Sequence, residues 1–258
     1  MTDLIAVTHD SFVSNVTYTN PPFNLLGIET MDALVSAHQE ADAHPDTRVI
    51  VTRSGLEGMF CNGLNPMTVL DADLEGRRAI FAGVGRLIHG LFSLKKPHIA
   101  VLNGPAMAGG AVFAITADFR YMDQDRGAMC FAEAKVGVPV PAGLAAIIAG
   151  VCLPSMLREV VMLGKNLDPN QALAAGLVDG IAATAEIEEA VQTQIARLSR
   201  LSCDVVKACK AAVRAPVLEK TVNMLGESDL GFAQFLGDDY LGEGLKAFME
   251  GRQPVFRK

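Results

Sequence analysis

The chain has 258 residues, 50% hydrophobic and 20% charged, so it can bury a substantial core and is not a disordered segment. Its net charge of −7 argues against a nucleic-acid partner, which would call for a basic face, and no apolar run is long enough to span a membrane. The basic pairs Arg77-Arg78 and Lys95-Lys96 read as solvated helix surface, and the five cysteines form no CxxC pair or zinc spacing.

The opening residues MTDLIAVTHD have neither the basic start nor the apolar core of a secretory leader, so the expected location is the cytoplasm. Apolar–polar alternation over 3–19 predicts a hairpin of half-buried strands. The tract Asn20-Pro21-Pro22-Phe23-Asn24 breaks it and leads into a helix over 27–44, with Met31, Leu34, Val35 and His38 on the apolar face. Residues 49–51 read as a strand buried on both faces. A glycine-bearing segment, FCNGLN at 60–65, precedes a long helix over 72–94 whose face is Ile80, Val84, Leu87, Ile88 and Leu91. A buried strand at 99–102 then runs into a second glycine-bearing segment, NGPAMAGGAV at 103–112, which opens a helix near Gly109, and strand character returns at 118–122. This alternation with short connections predicts a layered α/β core. Beyond 153 the pattern is mostly helical: SMLREVVMLG, then DPNQALAAG with Asp168 as N-cap, Pro169 in the first turn and Gly176 as the stop. After a brief strand in GLVDGI, three or four helices follow from residue 187. The expected division is a core over 1–195 and a helical region over 196–258 that forms one unit with it and packs against a second subunit.

Glycines just past a strand let the backbone approach a ligand and aim bare N–H groups at it. Two such segments in one alternating core could converge on a single oxygen, as in an oxyanion hole. Simple helix packing at Gly109-Gly110 is the plainer alternative, and a phosphate cradle lacks both G-x-x-x-x-G-K-[ST] and G-x-G-x-x-G. No G-x-S-x-G occurs, and the five histidines lie away from both segments. Cys61 lies inside the first segment, whereas Cys130, Cys152, Cys203 and Cys209 sit among apolar neighbours and read as buried thiols. Glu133, in AMCFAEAKVGVPVP, is surrounded by small and apolar residues, which would raise its pKa into the range useful for moving protons. The alternative is a solvated carboxylate paired with Lys135.

FCNGLN, NGPAMAGG, FAEAKVG, LGKNLDPNQALAAGLVDGI and EGLKAFMEGRQPVF occur in that order over essentially the whole chain and resemble the crotonase superfamily, also called the enoyl-CoA hydratase/isomerase family. The resemblance implies an α/β fold, a spiral of ββα units with a C-terminal helical trimerisation region, assembled as a homotrimer or hexamer. It implies an acyl-CoA substrate, with no metal and no cofactor beyond the CoA that arrives with that substrate. By position, the amides of Leu64 and Gly109 would hold the thioester oxygen and Glu133 would move the proton. Cys61, Gly63, Leu64, Asn65, Pro66, Met67, Gly109 and Phe248 would line the CoA, and Gly251 stands where some members have a lysine. Val112, Phe131, Val138 and Leu144 are the expected acyl wall.

Hydratases of the family use two glutamates, and the first falls at Val112 in this chain. Shifting a double bond from C3 to C2 needs only one base that reaches both C2 and C4, so a lone Glu133 resembles the Δ3,Δ2-enoyl-CoA isomerases. The hydratases' PGxGGxxRL run is also missing. The alternatives are an enoyl-CoA hydratase or other crotonase reaction, and a non-catalytic acyl-CoA-binding homologue.

Overall fold

The computed structural model describes residues 4–225 and 230–256. The N-terminal alternation folds into β1 (Ile5–Asp10) and β2 (Val13–Tyr18), paired antiparallel. Next come α1 (Ile28–Ala43), β3 (Val49–Ser54), the short α2 (Pro66–Asp71), α3 (Leu74–Phe92), β4 (His98–Leu102), β5 (Ala106–Met107) and α4 (Gly109–Ile115). They are followed by β6 (Phe119–Asp123), β7 (Met129–Cys130), a 3-10 turn (Glu133–Val136), α5 (Ala142–Val151), α6 (Pro154–Met162), α7 (Pro169–Ala174) and β8 (Gly180–Ala182). The C-terminal part holds α8 (Ile187–Ser199), α9 (Cys203–Val222), α10 (Leu230–Ala233) and α11 (Glu243–Met249).

Six strands form one sheet in the order β1-β2-β3-β4-β6-β8, and every pairing after the first is parallel. Parallel neighbours need long crossovers, and α1 and α3 supply the first two. The sheet is covered on both faces. Val49, Val51, Ile99 and Val101 meet Ile187, Val191 and Ile195 of α8, while Ala100 and Leu102 face the main core with Leu34, Leu87, Leu91 and Phe113. The expected helix over 72–94 is α3, which Asp73 starts by accepting a hydrogen bond from the Gly76 amide; the short α2 ahead of it has no counterpart in the sequence reading. At α7 the expected cap is present as a full capping box between Asp168 and Gln171.

Three sequence expectations are corrected. Arg77 and Lys96 are buried rather than solvated, because each donates to backbone carbonyls inside the fold. Cys130 and Cys152 are buried, but Cys203 is half-buried and Cys209 exposed. The reason is that α9 packs by a polar face: Lys210, Arg214 and Thr221 are buried, while Val205 and Val213 are exposed. Lys210 and Arg214 reach Asp118 at 2.7 and 2.6 Å, and the Arg214 guanidinium lies 4.2 Å over the Phe92 ring. Among the described residues no helix is long and apolar enough to cross a membrane.

Candidate functional site

A second, smaller sheet assembles the site. Strands β5 and β7 pair in parallel, Ala106 with Met129 and Met107 with Cys130. Isolated bridges extend this pairing to Cys61 on one side and Leu167 on the other, and a further bridge joins Leu26 to Leu64. Both glycine segments and the approach to Glu133 are thereby fixed side by side. The bonds involved are short: Met107 N–H to Cys61 C=O at 3.0 Å and Ala108 N–H to Cys130 C=O at 2.8 Å.

Two amides of these segments take no part in this pairing. The Leu26–Leu64 bridge uses the Gly63 carbonyl and the Asn65 amide, so the Leu64 N–H between them lies outside that pairing. Gly109 is the first residue of α4, where an N–H has no intrahelical acceptor. The segments touch: a Cβ added to Gly63, whose φ is +80°, would lie 2.7 Å from the Gly109 nitrogen, and one added to Gly110 would lie 2.0 Å from the Cys61 carbonyl oxygen. Only glycine permits this approach. Ala108, immediately before Gly109, adopts φ 49° and ψ −121°, a conformation that alanine rarely takes. Its amide bond to Cys130, together with the Val112 amide on its own carbonyl, holds that strain in place and sets the direction of the Gly109 N–H.

Asn24 locks the arrangement from behind. It is buried with φ 51°, its Nδ2 donates to the Phe60 carbonyl at 2.9 Å and to Ser54 Oγ at 2.8 Å, and its carbonyl accepts from the Cys61 thiol at 3.1 Å. The sequence marks this residue only as the end of a strand-breaking tract.

These segments border a cleft of about 560 Å³. Leu64, Pro66, Met107, Gly109, Val112 and Glu133 line it together with the apolar side chains of Val69, Phe81, Val84, Val138, Leu241 and Leu245, and Phe248 and Phe256 also border it. Of the other expected positions, Cys61 is fully buried and burial pushes its thiol up to about 12. Asn65 caps α2 by accepting from the Met67 amide, and Met67 is exposed. Phe131 and Leu144, expected in the acyl wall, are buried in the main core instead, Leu144 on the inward face of α5.

Glu133 begins the 3-10 turn after β7. Its Oε2 is buried without a hydrogen-bond partner, and burial raises its pKa to about 7. Lys135 does not pair with it; the Lys135 ammonium donates to Asn166 Oδ1 at 3.0 Å. Glu133 is also the only carboxylate among the described residues lining the cleft. The buried histidines lie elsewhere, in a chain through Thr52. His38 Nδ1–H donates to the Leu34 carbonyl, which leaves Nε2 to accept from Thr52 Oγ1, and Thr52 in turn accepts from His98 Nε2–H. Desolvation holds His38 down to about 4 and His98 well below the usual imidazole range.

A carboxyl with one buried, unbonded oxygen, bordering the same apolar cleft as Leu64 and Gly109, suits proton abstraction next to a carbonyl whose oxygen becomes negative. Comparison with known proteins gives the family and the fold. A family model described as enoyl-CoA hydratase/isomerase matches residues 8–258. Carnitinyl-CoA dehydratase of Salmonella heidelberg is 25% identical over 264 residues, covering 100% of this chain and 99% of the relative. Human mitochondrial delta3-delta2-enoyl-CoA isomerase superposes with a TM-score of 0.90 at 21% identity, over 96% of this chain and 98% of the other. An enoyl-CoA hydratase from Mycobacterium avium subsp. paratuberculosis superposes with a TM-score of 0.84 at 24% identity, over 99% of each chain.

Proposed function

The chain belongs to the enoyl-CoA hydratase/isomerase family of acyl-CoA enzymes, and we propose that within it the protein shifts a double bond, converting 3-enoyl-CoA to 2-enoyl-CoA. The observation that carries this reading is that Glu133 is the single carboxylate lining the cleft among the described residues, with Val112 buried where the resemblance puts the hydratases' other glutamate. In this mechanism ionised Glu133 removes a proton from C2. The electron pair moves through the thioester to its oxygen, which the Leu64 and Gly109 N–H groups stabilise, each donor contributing about 3 kcal/mol. The same carboxyl then returns the proton to C4, the C2–C3 double bond forms, and no water is consumed. The raised pKa of Glu133 suits both halves of the cycle, as base and then as acid.

The CoA moiety would run along residues 64–67 toward Phe248, and the reading calls for no cofactor besides it. We extend the proposal to a homotrimer or hexamer, supported by the exposed apolar side chains Leu201, Val205 and Val213 in and beside α9. Sedimentation as a monomer would reject that part.

A second reading, addition or loss of water, is favoured by the name of the Salmonella relative. Water addition benefits from two positioned acid–base groups, and Val112 supplies none. Incubation with 3-enoyl- and 2-enoyl-CoA thioesters of graded length, followed by product identification, separates the readings. Double-bond migration supports the isomerase, a 3-hydroxyacyl product the hydratase, and binding without turnover a non-catalytic homologue.

A further inference from the structure

The apolar walls of the cleft draw on two parts of the chain that are far apart in sequence, and the acyl-CoA reading gives these walls to the acyl chain. One is α2, six residues long and carrying Val69; the other is the stretch from Leu236 to Leu245, which contributes Leu241 and Leu245. Their side chains meet in one hydrophobic cluster with Ile80 and Val138. A helix of six residues has little stability of its own, since forming its first turn costs more than its few hydrogen bonds return. Something outside α2 must hold it.

Arg77, in the first turn of α3, occupies that position. Its side chain is only 7% exposed. Its Nε donates to the Val69 carbonyl at 3.0 Å and its Nη2 to the Leu70 carbonyl at 3.3 Å, satisfying two acceptors at the end of α2 that lack intrahelical donors. Its Nη1 reaches across to the Leu236 carbonyl at 2.9 Å and to Asp238 Oδ1 at 2.8 Å. A single guanidinium thus bonds to both walls at once, which its planar fork allows and a lysine's point charge would not. Asp238 itself is 78% exposed, so the carboxylate trims the charge of the clamp from the solvent side.

We propose that Arg77 is a positioning residue for acyl-thioester binding: it clamps α2 to the 236–241 segment and holds the cleft walls at the separation an acyl chain fills. The proposal rests on the reading of the cleft as an acyl-CoA site. Arg77 does not line the cleft, so its effect passes through Val69 and Leu241 and falls on the acyl portion rather than on the proton transfer.

The test is calorimetric binding of the unreactive thioesters decanoyl-CoA and acetyl-CoA to the wild type, Arg77→Met, Arg77→Lys and Asp238→Asn. Arg77→Met is expected to weaken decanoyl-CoA binding about tenfold or more while acetyl-CoA changes by about twofold or less. Arg77→Lys should recover part of the loss, and Asp238→Asn, at an exposed carboxylate, should show the smallest effect. Equal affinities in wild type and Arg77→Met, or equal losses for both thioesters, overturn the clamp. A wild type that binds neither thioester overturns the acyl-CoA reading itself and the clamp with it. Should Arg77→Met not fold, hydrogen exchange of the wild type decides: decanoyl-CoA should protect residues 66–71 and 236–242 together, and protection of one stretch alone overturns the proposal.

Discussion

Glu133 and Asp118 are both carboxylates inside the same fold, and their surroundings are opposite. Asp118 accepts from Lys210, from Arg214 and from the His98 amide, at 2.7, 2.6 and 2.8 Å. Glu133 leaves one oxygen buried and unbonded, and its pKa rises to about 7. A satisfied buried charge ties elements together, here α9 to the start of β6, and does no chemistry. An unsatisfied one stores free energy that a substrate proton can draw on. The fold therefore separates a structural carboxylate from a reactive one by the partners it provides, not by depth.

Glu133→Gln tests the contrast most severely. Isomerisation should fall by about a thousandfold or more, since no other carboxylate lines the cleft among the described residues, while acyl-CoA binding persists. Retained turnover on 3-enoyl-CoA would break the assignment. The same variant should be more stable than wild type at pH 8. A native pKa above the unfolded value means that the folded state binds more protons between pH 4.5 and about 7, so stability declines with rising pH across that window. Removing the group should restore roughly 2–3 kcal/mol, measurable by denaturant unfolding.

At Asp118 the expected outcome reverses. Asp118→Ala strands Lys210 and Arg214 in the interior and should cost about 3–5 kcal/mol of stability, with activity per folded molecule retained. If turnover fell while stability held, the division between the two carboxylates would be wrong.

Dependence on pH offers a finer test. In wild type kcat/KM should rise about tenfold per pH unit below about 7 and level off above it, as Glu133 ionises. His38 titrates with the opposite sign for stability. Held near 4 when folded and near 6.5 when unfolded, it stabilises the fold above pH 6.5 and loses that contribution as pH falls toward 4. Glu133→Gln should therefore keep the acid-side loss and shed the decline on the neutral side. The smallest effect is expected for Leu64→Ala, with kcat within about threefold of wild type, because the proposed donor is the backbone N–H and not the side chain.

Much of the architecture was legible in local pattern. The N-terminal alternation, the buried strands at 49–51 and 99–102 and the capping signals at Asp168 all correspond to observed elements, because each depends on side chains near in sequence. The site was legible in part. Glycines after strands and a carboxylate among apolar residues flagged 60–65, 103–112 and Glu133, and all three border one cleft. Strands β5 and β7, which bring them together, have two residues each, too few to show any period. Asn24 looked like part of a breaker, and Ala108 gave no sign of its positive φ.

The inverted helix α9 and the clamp at Arg77 show where sequence reading ends. Apolar spacing predicts an inward face only when the partner surface is apolar, and α9 docks in part on Asp118 and on the Phe92 and Thr116 carbonyls, so Lys210 and Arg214 turn in while Val205 and Val213 turn out. Likewise Arg77 beside Arg78 reads as surface until Leu236, far along the chain, supplies an acceptor. The amino-acid order alone determined the alternating α/β core, the glycine segments and a single candidate base, since these follow from propensity and spacing. Tertiary structure decided which polar groups are satisfied, because partners distant in sequence meet only in the fold, and that separates Glu133 from every other buried charge described.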